Sequence, residues 1–490
     1  MAPGEEQARP LVLGQRVYAV WAGNGKYYPG HVEALNEETG VVTVAWEDEG
    51  DDHKEVAADK VLPFEEYQGE ATPWLMSKID AAVEVRSIES KGRCLFTNEA
   101  KSPGDIIFVE APICAALPSK HPAVWEAVNE VHKRQPLDLG AGWHFAAAVS
   151  MLELDEQGTK LALDKWAPDE EKVPCQDSLN VLSYFTERQV KGLEQVDPGL
   201  YQKMLVSWRY NAFAHGSESD GLVMYNRISM MAHSCSATCC WQYGPDDTFV
   251  LRSRVTLEPG AEITVSYLEE DDLIKGTDIR RQKLEMWRFW CACDRCQLEV
   301  DVTRGFACPK CMAGVCFVAR TGSTERMIPC NVCYAPVRKE DQEELMGYEK
   351  QYYDVLEGIE KEDIPRIEEV RGCALQCFKQ HWVVYQLEQW LIEKYRRDDQ
   401  LLTEALLLAQ RALGFLTETS PWASHTLASA YETVGELLLT SGPKPLRKER
   451  YREAASYFER GYRVMSAICG DEGDGALVLR SKWANAQQKG

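Results

Sequence analysis

The spacing of cysteines between residues 291 and 333 constrains this chain more than any other feature of its sequence. The segments FACPKC and IPCNVC each contain a C-x2-C pair, Cys308 with Cys311 and Cys330 with Cys333. A tetrahedral zinc site takes four thiolates at about 2.3 Å, and one C-x2-C turn supplies two of them. Two such turns therefore predict a self-contained zinc ribbon.

A third cluster, WRFWCACDRC, supplies Cys291, Cys293 and Cys296, one thiolate short of a closed tetrahedral site. The stretch MMAHSCSATCC holds one histidine and three further cysteines. Spacing alone leaves several candidates for the fourth ligand: Cys235, Cys239, Cys240, Cys316 and His233. A nucleophile–base pair of Cys235 with His233 and plain core packing of the cysteines are the alternatives to a metal site.

The cysteine content also bears on the compartment of the protein. Seventeen cysteines occur among 490 residues, and the N-terminus has neither the basic start nor the apolar core of a signal peptide. The sequence has no apolar run of membrane-spanning length. We therefore expect a cytoplasmic or nuclear protein, where cysteines stay reduced.

The net charge of −23 argues against strong nucleic-acid binding and favours a lysine-rich partner.

The pattern of apolar residues divides the chain into four segments and predicts a multidomain α+β fold. Residues 11–66 contain Val- and aromatic-rich runs separated by GNGK and NEETG turns, as in a small five-stranded β-barrel. Residues 80–290 are β-rich, with a helical insertion at about 118–210. Residues 291–336 carry the cysteine clusters, and residues 340–490 have the periodicity of amphipathic helices to the end of the chain.

The C-terminal helices have the small–large–small spacing of tetratricopeptide (TPR) repeats. In YREAASYFERGYRVMSAICG this spacing is formed by Ala454, Phe458 and Gly461, and EALLLAQRALGFL repeats it. The interval between the two exceeds the usual ~34 residues, and the inserted SGPKPLRKER segment accounts for the excess. The segment predicts a TPR-like domain that binds a partner or pairs with a second copy of the chain; a plain helical bundle is the alternative.

Four motifs, in their order along the chain, resemble those of SET-domain protein methyltransferases. KGRCLFT resembles the Gly-x-Gly turn that touches S-adenosylmethionine, AHSC the NHSC motif, PGAEITVSY the segment that ends in the catalytic tyrosine, and MWRFWCACDRC the post-SET cysteine cluster. A SET domain with a helical insertion, a post-SET zinc site and a TPR-like C-terminus is similar to the SMYD branch of lysine methyltransferases. That branch carries a MYND zinc finger, whereas no cysteine lies between Cys114 and Cys175 here, as in MYND-less apicomplexan relatives.

The resemblance implies two structural zinc ions and a role for each candidate residue. The cysteine of the NHSC motif reaches the post-SET zinc, which makes Cys235 the fourth ligand of the incomplete cluster. Tyr267 supplies the catalytic hydroxyl. The residues implied at S-adenosylmethionine are Lys91, Gly92, Arg93, Asn211, His233, Tyr267 and Phe289. Those implied in the channel for the substrate lysine are Phe213, Tyr267 and Trp287.

The implied reaction is methyl transfer from S-adenosylmethionine to the ε-amine of a protein lysine. This amine must arrive neutral, although its reference pKa is about 10.4. Burial in an apolar channel and a nearby sulfonium both lower that pKa, and alignment of amine and methyl group lowers the barrier further. The pocket therefore needs aromatic walls and a hydroxyl rather than a strong base.

Two positions depart from the family pattern and support an alternative function. The asparagine of NHSC is Ala232 here, which removes a side-chain contact to the methionyl part of the cofactor, and the second glycine of the cofactor turn is Cys94. The alternative is a catalytically inactive SET-family adaptor that binds methylated proteins through its N-terminal and helical domains.

The first segment resembles a Tudor domain over about residues 11–65. Trp21, Tyr28 and Trp46 match three aromatic positions of the cage that binds methylated lysine or arginine, and Glu49 stands at the fourth. A methylated cation over an aromatic face gains roughly 0.5–2 kcal/mol for each well-placed ring. The resemblance implies a reader of methylated proteins; rings that only fill a small barrel are the alternative.

Overall fold

The structure is a computed structural model that describes residues 11–20, 27–36, 39–46, 54–63, 79–89, 91–137, 143–151, 171–191, 193, 195–216, 218–244, 247–321, 324–442 and 447–490. Strands and helices are numbered in chain order within these ranges. Of the helices described, none has both the length and the apolar character that crossing a membrane requires.

The N-terminal part of the chain forms five strands: β1 (Arg16–Val20), β2 (Tyr27–Asn36), β3 (Val41–Trp46), β4 (Glu55–Ala57) and β5 (Val61–Pro63). They make one antiparallel sheet in the order β4-β3-β2-β1-β5, so β4 and β5 are its edges. A turn at Ala58–Lys60 joins these edges directly, whereas the edges of a flat five-stranded sheet lie about 19 Å apart. The sheet is therefore strongly curled, around a core that includes Val17, Val42 and Val44.

The next β-rich region contains ten strands: β6 (Val83–Ile88), β7 (Gly92–Thr97), β8 (Ile106–Glu110), β9 (Cys114–Ala116), β10 (Ala212–Ala214), β11 (Leu222–Met224), β12 (Ala232–His233), β13 (Cys239–Tyr243), β14 (Phe249–Ser253) and β15 (Glu262–Val265). They form three small sheets with the orders β10-β11-β9, β12-β15-β7-β6 and β13-β14-β8. Parallel pairing of β12 with β15 sets Ala232 opposite Thr264 and His233 opposite Val265. The MAHS stretch therefore lies beside the strand that leads into Tyr267.

A helical insertion interrupts these strands between β9 and β10. It contains α1 (Pro122–Arg134), α2 (Trp143–Ser150), α3 (Gln176–Glu187) and α4 (Pro198–Asn211). Helix α4 begins where the Asp197 side chain accepts a hydrogen bond from the Leu200 amide at 2.7 Å, with a proline at the first helical position. The buried rings of Phe145 and Trp208 pack in the core of the insertion. Because α4 runs directly into β10, the insertion is tied to the strands around the site.

The cysteine-rich region follows β15. It contains α5 (Glu270–Leu273), α6 (Thr277–Leu284), α7 (Asp294–Gln297), β16 (Val300–Ala307), β17 (Val315–Thr321) and β18 (Thr324–Met327). The last three strands form an antiparallel ribbon. The side chain of Phe306 in β16 is buried against the C-terminal helices, so the ribbon and those helices share one core.

The C-terminal region contains α8 (Lys339–Gly358), α9 (Ile364–Cys377), β19 (Phe378–His381), α10 (Trp382–Tyr395), α11 (Leu402–Thr419), α12 (His425–Thr440), α13 (Lys448–Cys469) and α14 (Asp474–Lys489). The expectation that this segment is helical throughout is wrong at β19, which pairs with β16. There the rings of Phe378 and His381 stack and both contact Phe306, so tertiary packing overrides the helical pattern. Consecutive helices from α10 onward pack against one another, and Phe458 of α13 lies against Gly435 of α12.

Candidate active site and zinc centres

The first cysteine quartet joins the MAHS stretch to the post-SET segment. The thiols of Cys235, Cys291, Cys293 and Cys296 all lie within 4.8 Å of one another. The Cys235 sulfur is 3.5 Å from that of Cys296 and 4.0 Å from that of Cys291. Four sulfurs at about 2.3 Å from a tetrahedral zinc ion are about 3.8 Å apart. The quartet therefore fits zinc, and of the five candidates for the fourth ligand the structure brings Cys235 to the cluster.

A buried arginine accompanies this quartet. Arg280 is 1% exposed, and its Nη2 lies 3.6 Å from the Cys296 sulfur. Burial lowers the pKa of its guanidinium, but Asp301 and the neighbouring thiols more than offset this and hold that pKa above its usual range. Four thiolates around a divalent ion carry a net charge of −2, so a fixed cation beside them stabilises the metal-bound state.

The second quartet consists of the two C-x2-C turns. Cys308, Cys311, Cys330 and Cys333 also place their thiols within 4.8 Å of one another. The Cys308–Cys333 and Cys311–Cys330 sulfur pairs are both 3.7 Å apart. This geometry again fits a tetrahedral zinc ion, so the two clusters can hold two zinc ions.

The other cysteines considered as ligands lie in strands. Cys239 and Cys240 belong to β13, and Cys316 is a buried residue of β17 in the shared core. None of the three belongs to either quartet of the described residues. Cys235 has a place in the first quartet, and its sulfur is 3.3 Å from Nε2 of His233. This contact serves the metal site rather than a nucleophile pair.

A cavity of about 380 Å³ is lined by residues of β10 and β13, by the segment that follows β15, and by Trp287. Its lining includes Phe213, Tyr267 and Trp287, the three residues predicted for a lysine channel. The ring of Phe213 is held edge-on by Tyr225, at 5.7 Å, and by Trp241, at 5.6 Å. Aromatic side chains thus form much of the wall, as binding of an alkyl chain requires.

Tyr267 connects this cavity with a second group of aromatic residues. Its ring centroid is 5.4 Å from that of Trp287 in the cavity, 5.4 Å from that of His233 and 6.2 Å from that of Phe289. Its hydroxyl donates a hydrogen bond to the Met231 carbonyl at 2.5 Å. Burial raises the pKa of Tyr267 well above its usual range, so the phenol stays protonated. It can orient a substrate through hydrogen bonds but is not a general base.

Of the residues predicted for cofactor binding, His233 and Phe289 contact the ring of Tyr267, and Lys91, Gly92 and Arg93 lie at the start of β7. Gly92 begins β7 with φ of +76°, a left-handed conformation that favours glycine. Lys91 directs its ammonium to Glu262, at 2.7 and 2.8 Å, rather than into the cavity. Arg93 follows in β7 as a half-buried residue. The pairing of β7 and β12 with β15 brings this turn to the side of His233, whose ring centroid is 5.9 Å from that of Phe289.

Asn211 ends α4 and lines the cavity. It is 8% exposed, and its side-chain amide donates a hydrogen bond to the Ser207 carbonyl at 2.8 Å. Asn211 thus shares the cavity with Tyr267, and the rings of His233 and Phe289 contact the Tyr267 ring. A buried amide and aromatic rings are groups that can bind a polar chain and an aromatic base.

The two positions that depart from the family pattern are also at this site. Cys94 is fully buried in β7, with its sulfur 3.9 Å from the Gly92 carbonyl. Ala232 is partly exposed in β12.

The structure adds residues that the sequence does not single out. Tyr210, Met231, Trp241 and Arg254 all line the cavity. Met231 directly precedes Ala232, and Tyr210 directly precedes Asn211. Their position next to predicted site residues is the feature of the sequence that could have indicated them. Arg254 directly follows β14, and only the fold brings it to the cavity.

The structure describes only part of the predicted methyl-ligand cage. Trp46 is 8% exposed in the core of the curled N-terminal sheet. The backbone of Tyr28 pairs with Ala19, and the described residues include neither its side chain nor Trp21. The cage stays a prediction, and the burial of Trp46 is also what core packing alone would produce.

Comparison with known proteins identifies the central region. Residues 92–268 match the sequence model of the SET domain family. The histone-lysine N-methyltransferase SMYD3 of Homo sapiens is 25% identical over 156 residues, which cover 31% of this chain and 34% of that protein. The histone-lysine N-methyltransferase SET5 of Saccharomyces cerevisiae is 25% identical over 190 residues, 36% of this chain and 33% of that protein. The match thus spans about a third of the length of these curated relatives.

Solved structures of SET proteins give weak overall superpositions. The SET domain of LSMT bound to lysine and AdoHcy is 13% identical, with 84% of this chain and 87% of that chain covered at a TM-score of 0.27. Rubisco LSMT bound to AdoMet is 11% identical, with 85% and 91% covered at a TM-score of 0.28. At such low TM-scores the whole chains do not superpose, so the family match rests on the sequence. The chain therefore contains a SET domain, with SMYD-type lysine methyltransferases among its relatives.

Proposed function

We propose that this protein transfers a methyl group from S-adenosylmethionine to the ε-amine of a protein lysine. One observation carries the proposal: the ring of Tyr267 contacts both Trp287 in the aromatic cavity and the His233–Phe289 face. Its protonated hydroxyl thus lies where a substrate amine and a cofactor would meet. The relatives named as lysine methyltransferases point to the same reaction.

The cofactor, when bound, supplies an electrophilic methyl group. Gly92, Asn211, His233 and Phe289 would hold it. The aromatic wall of Phe213, Trp241 and Trp287 excludes water from the lysine side chain, which favours the neutral amine. The Tyr267 hydroxyl orients that amine, and alignment of the reacting atoms provides the main acceleration.

Charge at the cavity supports a basic substrate. Glu269 is exposed at the lining of the cavity, whereas the Glu270 carboxylate beside it accepts hydrogen bonds from the amides of His425 and Thr426. The whole chain carries a net charge of −23, which attracts cationic proteins at a distance. We therefore propose a lysine-rich protein segment as the substrate. The eight thiols of the two quartets bind zinc only when reduced, which favours the cytoplasm or the nucleus.

The outer domains are proposed to bind proteins. The curled N-terminal sheet would act as a Tudor-like reader of methylated lysine or arginine, and the C-terminal helices as a TPR-like surface for a partner or a second copy of the chain. Titration of the full-length protein with methylated peptides tests the reader. Binding that Trp21→Ala abolishes supports it, and absence of binding by the wild-type protein contradicts it.

Replacement of Tyr267 tests the methyl transfer. Tyr267→Phe removes only the hydroxyl, so we expect methyl transfer to fall roughly 100-fold while calorimetry still detects S-adenosylmethionine. The wild-type protein and labelled cofactor are incubated with a cell extract, and mass spectrometry locates the methylated lysines. If the wild-type protein does not bind S-adenosylmethionine and does not transfer methyl groups, it is instead the inactive adaptor that Ala232 and Cys94 suggest.

A further inference from the structure

We propose that Glu171, in the helical insertion, is a positioning residue that sets two walls of the lysine channel through a single carboxylate. The inference rests on the proposed methyl transfer for its effect on substrate, but the geometry it describes is independent of activity. Glu171 directly precedes the segment that leads into α3, far in sequence from the cavity residues that it reaches.

Three side chains converge on this carboxylate. Its Oε1 accepts a hydrogen bond from the Tyr210 hydroxyl and forms an ion pair with Arg288, whose Nε is 2.8 Å away. Its Oε2 lies 3.5 Å from Nη1 of Arg209. The main chain is fixed as well, because the Glu171 carbonyl accepts a hydrogen bond from the Gln202 side chain at 3.0 Å. Glu171 is therefore held by α4 on one side and by the post-SET segment on the other.

The two partners of Oε1 belong to different walls of the site. Tyr210 lines the cavity at the end of α4. Arg288 lies between Trp287, which lines the same cavity, and Phe289, which contacts His233 and Tyr267. A change in the backbone conformation of Arg288 would reorient these two neighbouring rings. The carboxylate thus fixes the distance between the α4 wall and the Trp287 wall.

The backbone at Arg288 needs such a restraint. Its φ and ψ are +56° and +36°, the left-handed region that residues with a side chain seldom adopt. This conformation ends the short turn Glu285–Trp287 and redirects the chain toward Cys291. A contact that holds the Arg288 side chain stabilises the unusual conformation, and with it the orientation of its two aromatic neighbours.

Burial makes the interaction stronger than a surface ion pair. The Glu171 side chain is 10% exposed, although that of Arg288 is 57% exposed. Burial and the hydrogen bond to Glu171 raise the pKa of Tyr210 to about 12, so its hydroxyl stays a donor to the carboxylate. The largely buried carboxylate keeps the Tyr210 donor and the Arg209 cation in α4 when the exposed Arg288 is removed.

Alanine variants test the inference in the zinc-loaded, full-length protein. Glu171→Ala should increase amide hydrogen exchange over residues 285–291 and raise the KM for a lysine peptide about tenfold, as loss of hydrogen bonds to a charged group predicts. Glu171→Gln retains an acceptor oxygen of the same reach and should restore both properties in part. Glu126→Ala, an exposed carboxylate on α1 of the same insertion, is the matched control and should change neither.

A second variant keeps the inference falsifiable if Glu171→Ala fails to fold. Arg288→Ala removes a half-exposed side chain, so the fold should survive while residues 285–291 gain exchange. Unchanged exchange in this variant overturns the inference, whatever Glu171→Ala does. A wild-type protein without methyl transfer would refute the proposed function alone, because the exchange measurement needs no substrate.

Discussion

The backbone amide of Tyr267 donates a hydrogen bond to Nδ1 of His233 at 2.9 Å. Since Nδ1 accepts, the proton of the neutral ring is on Nε2, which lies 3.3 Å from the Cys235 sulfur. Burial lowers the pKa of His233 to about 4, so the ring is neutral under ordinary conditions. One imidazole therefore links the predicted catalytic tyrosine to a zinc ligand.

Replacement of His233 should affect both ends of this link. His233→Ala removes the acceptor for the Tyr267 amide and the donor to Cys235. Loss of such an outer partner typically costs about 10–100-fold in metal affinity or activity. We expect a loss of that size in methyl transfer and faster removal of one zinc ion by a chelator.

Ser236→Ala, in the same loop, is the control and should leave both properties unchanged. If His233→Ala lowers activity but keeps its resistance to the chelator, the contact with Cys235 does not stabilise the metal.

The zinc content should report the two quartets separately. Metal analysis of the purified protein should give about two zinc ions per chain, one for each set of four thiols. Cys308→Ser should lower this to about one. Cys291→Ser should do the same and also abolish binding of S-adenosylmethionine, because Phe289 lies two residues before that ligand.

Cys373 offers a matched control because it is an exposed cysteine of α9. Cys373→Ser should retain about two zinc ions. One ion or none in the wild-type protein would contradict the assignment of the ligands.

The two quartets illustrate how much of the site the sequence predicts. Each C-x2-C turn is local, so its spacing alone predicts the ribbon of Cys308, Cys311, Cys330 and Cys333. Cys235 is 56 residues away from Cys291, and counting cannot choose it from the other candidates. The packing that brings these two segments together is tertiary, so only the family resemblance implied Cys235 as the fourth ligand.

Other features left no pattern in the sequence. β19 is a four-residue strand whose Phe378 and His381 are explained only by their contacts with Phe306. Glu171 is one acidic residue in a polar stretch, and nothing in its neighbours indicates Tyr210 or Arg288. Local periodicity therefore predicts strands and helices well, whereas contacts between distant segments require the structure.

Glu110 predicts a specific dependence of stability on pH. It is fully buried, and its carboxylate accepts hydrogen bonds from the amides of Asn226, Arg227 and Ile228 at 2.8–3.1 Å. Burial outweighs these bonds and raises the pKa of Glu110 to about 7. A pKa above that of the unfolded chain stabilises the fold most at low pH, and this contribution is lost as the pH rises through 7.

The comparison with Glu110→Gln isolates this effect because the amide does not titrate. From pH 5 to pH 8 the free energy of unfolding of the wild-type protein should fall relative to that of the variant, by about 3 kcal/mol at most. Urea denaturation at each pH measures the difference. A difference that stays constant or grows toward pH 8 would show that the carboxylate, not the acid, is the stabilised form.

Ala232 allows a test in which function should improve. Ala232 lies in β12 opposite Thr264 and is only partly buried. The family resemblance places an asparagine there, in contact with the methionyl part of the cofactor. Ala232→Asn should therefore tighten binding of S-adenosylmethionine about 3–10-fold, the contribution of one net hydrogen bond, as measured by calorimetry.

The size of this gain distinguishes two explanations for the alanine. Ala232→Ser is the matched control, because its side chain is polar but too short to reach as far, and it should give little gain. If Ala232→Asn binds the cofactor no better than the wild type while the wild type is active, other residues of this pocket already replace the missing contact. If binding and methyl transfer both rise from a low level, the alanine limits a pocket that is otherwise complete.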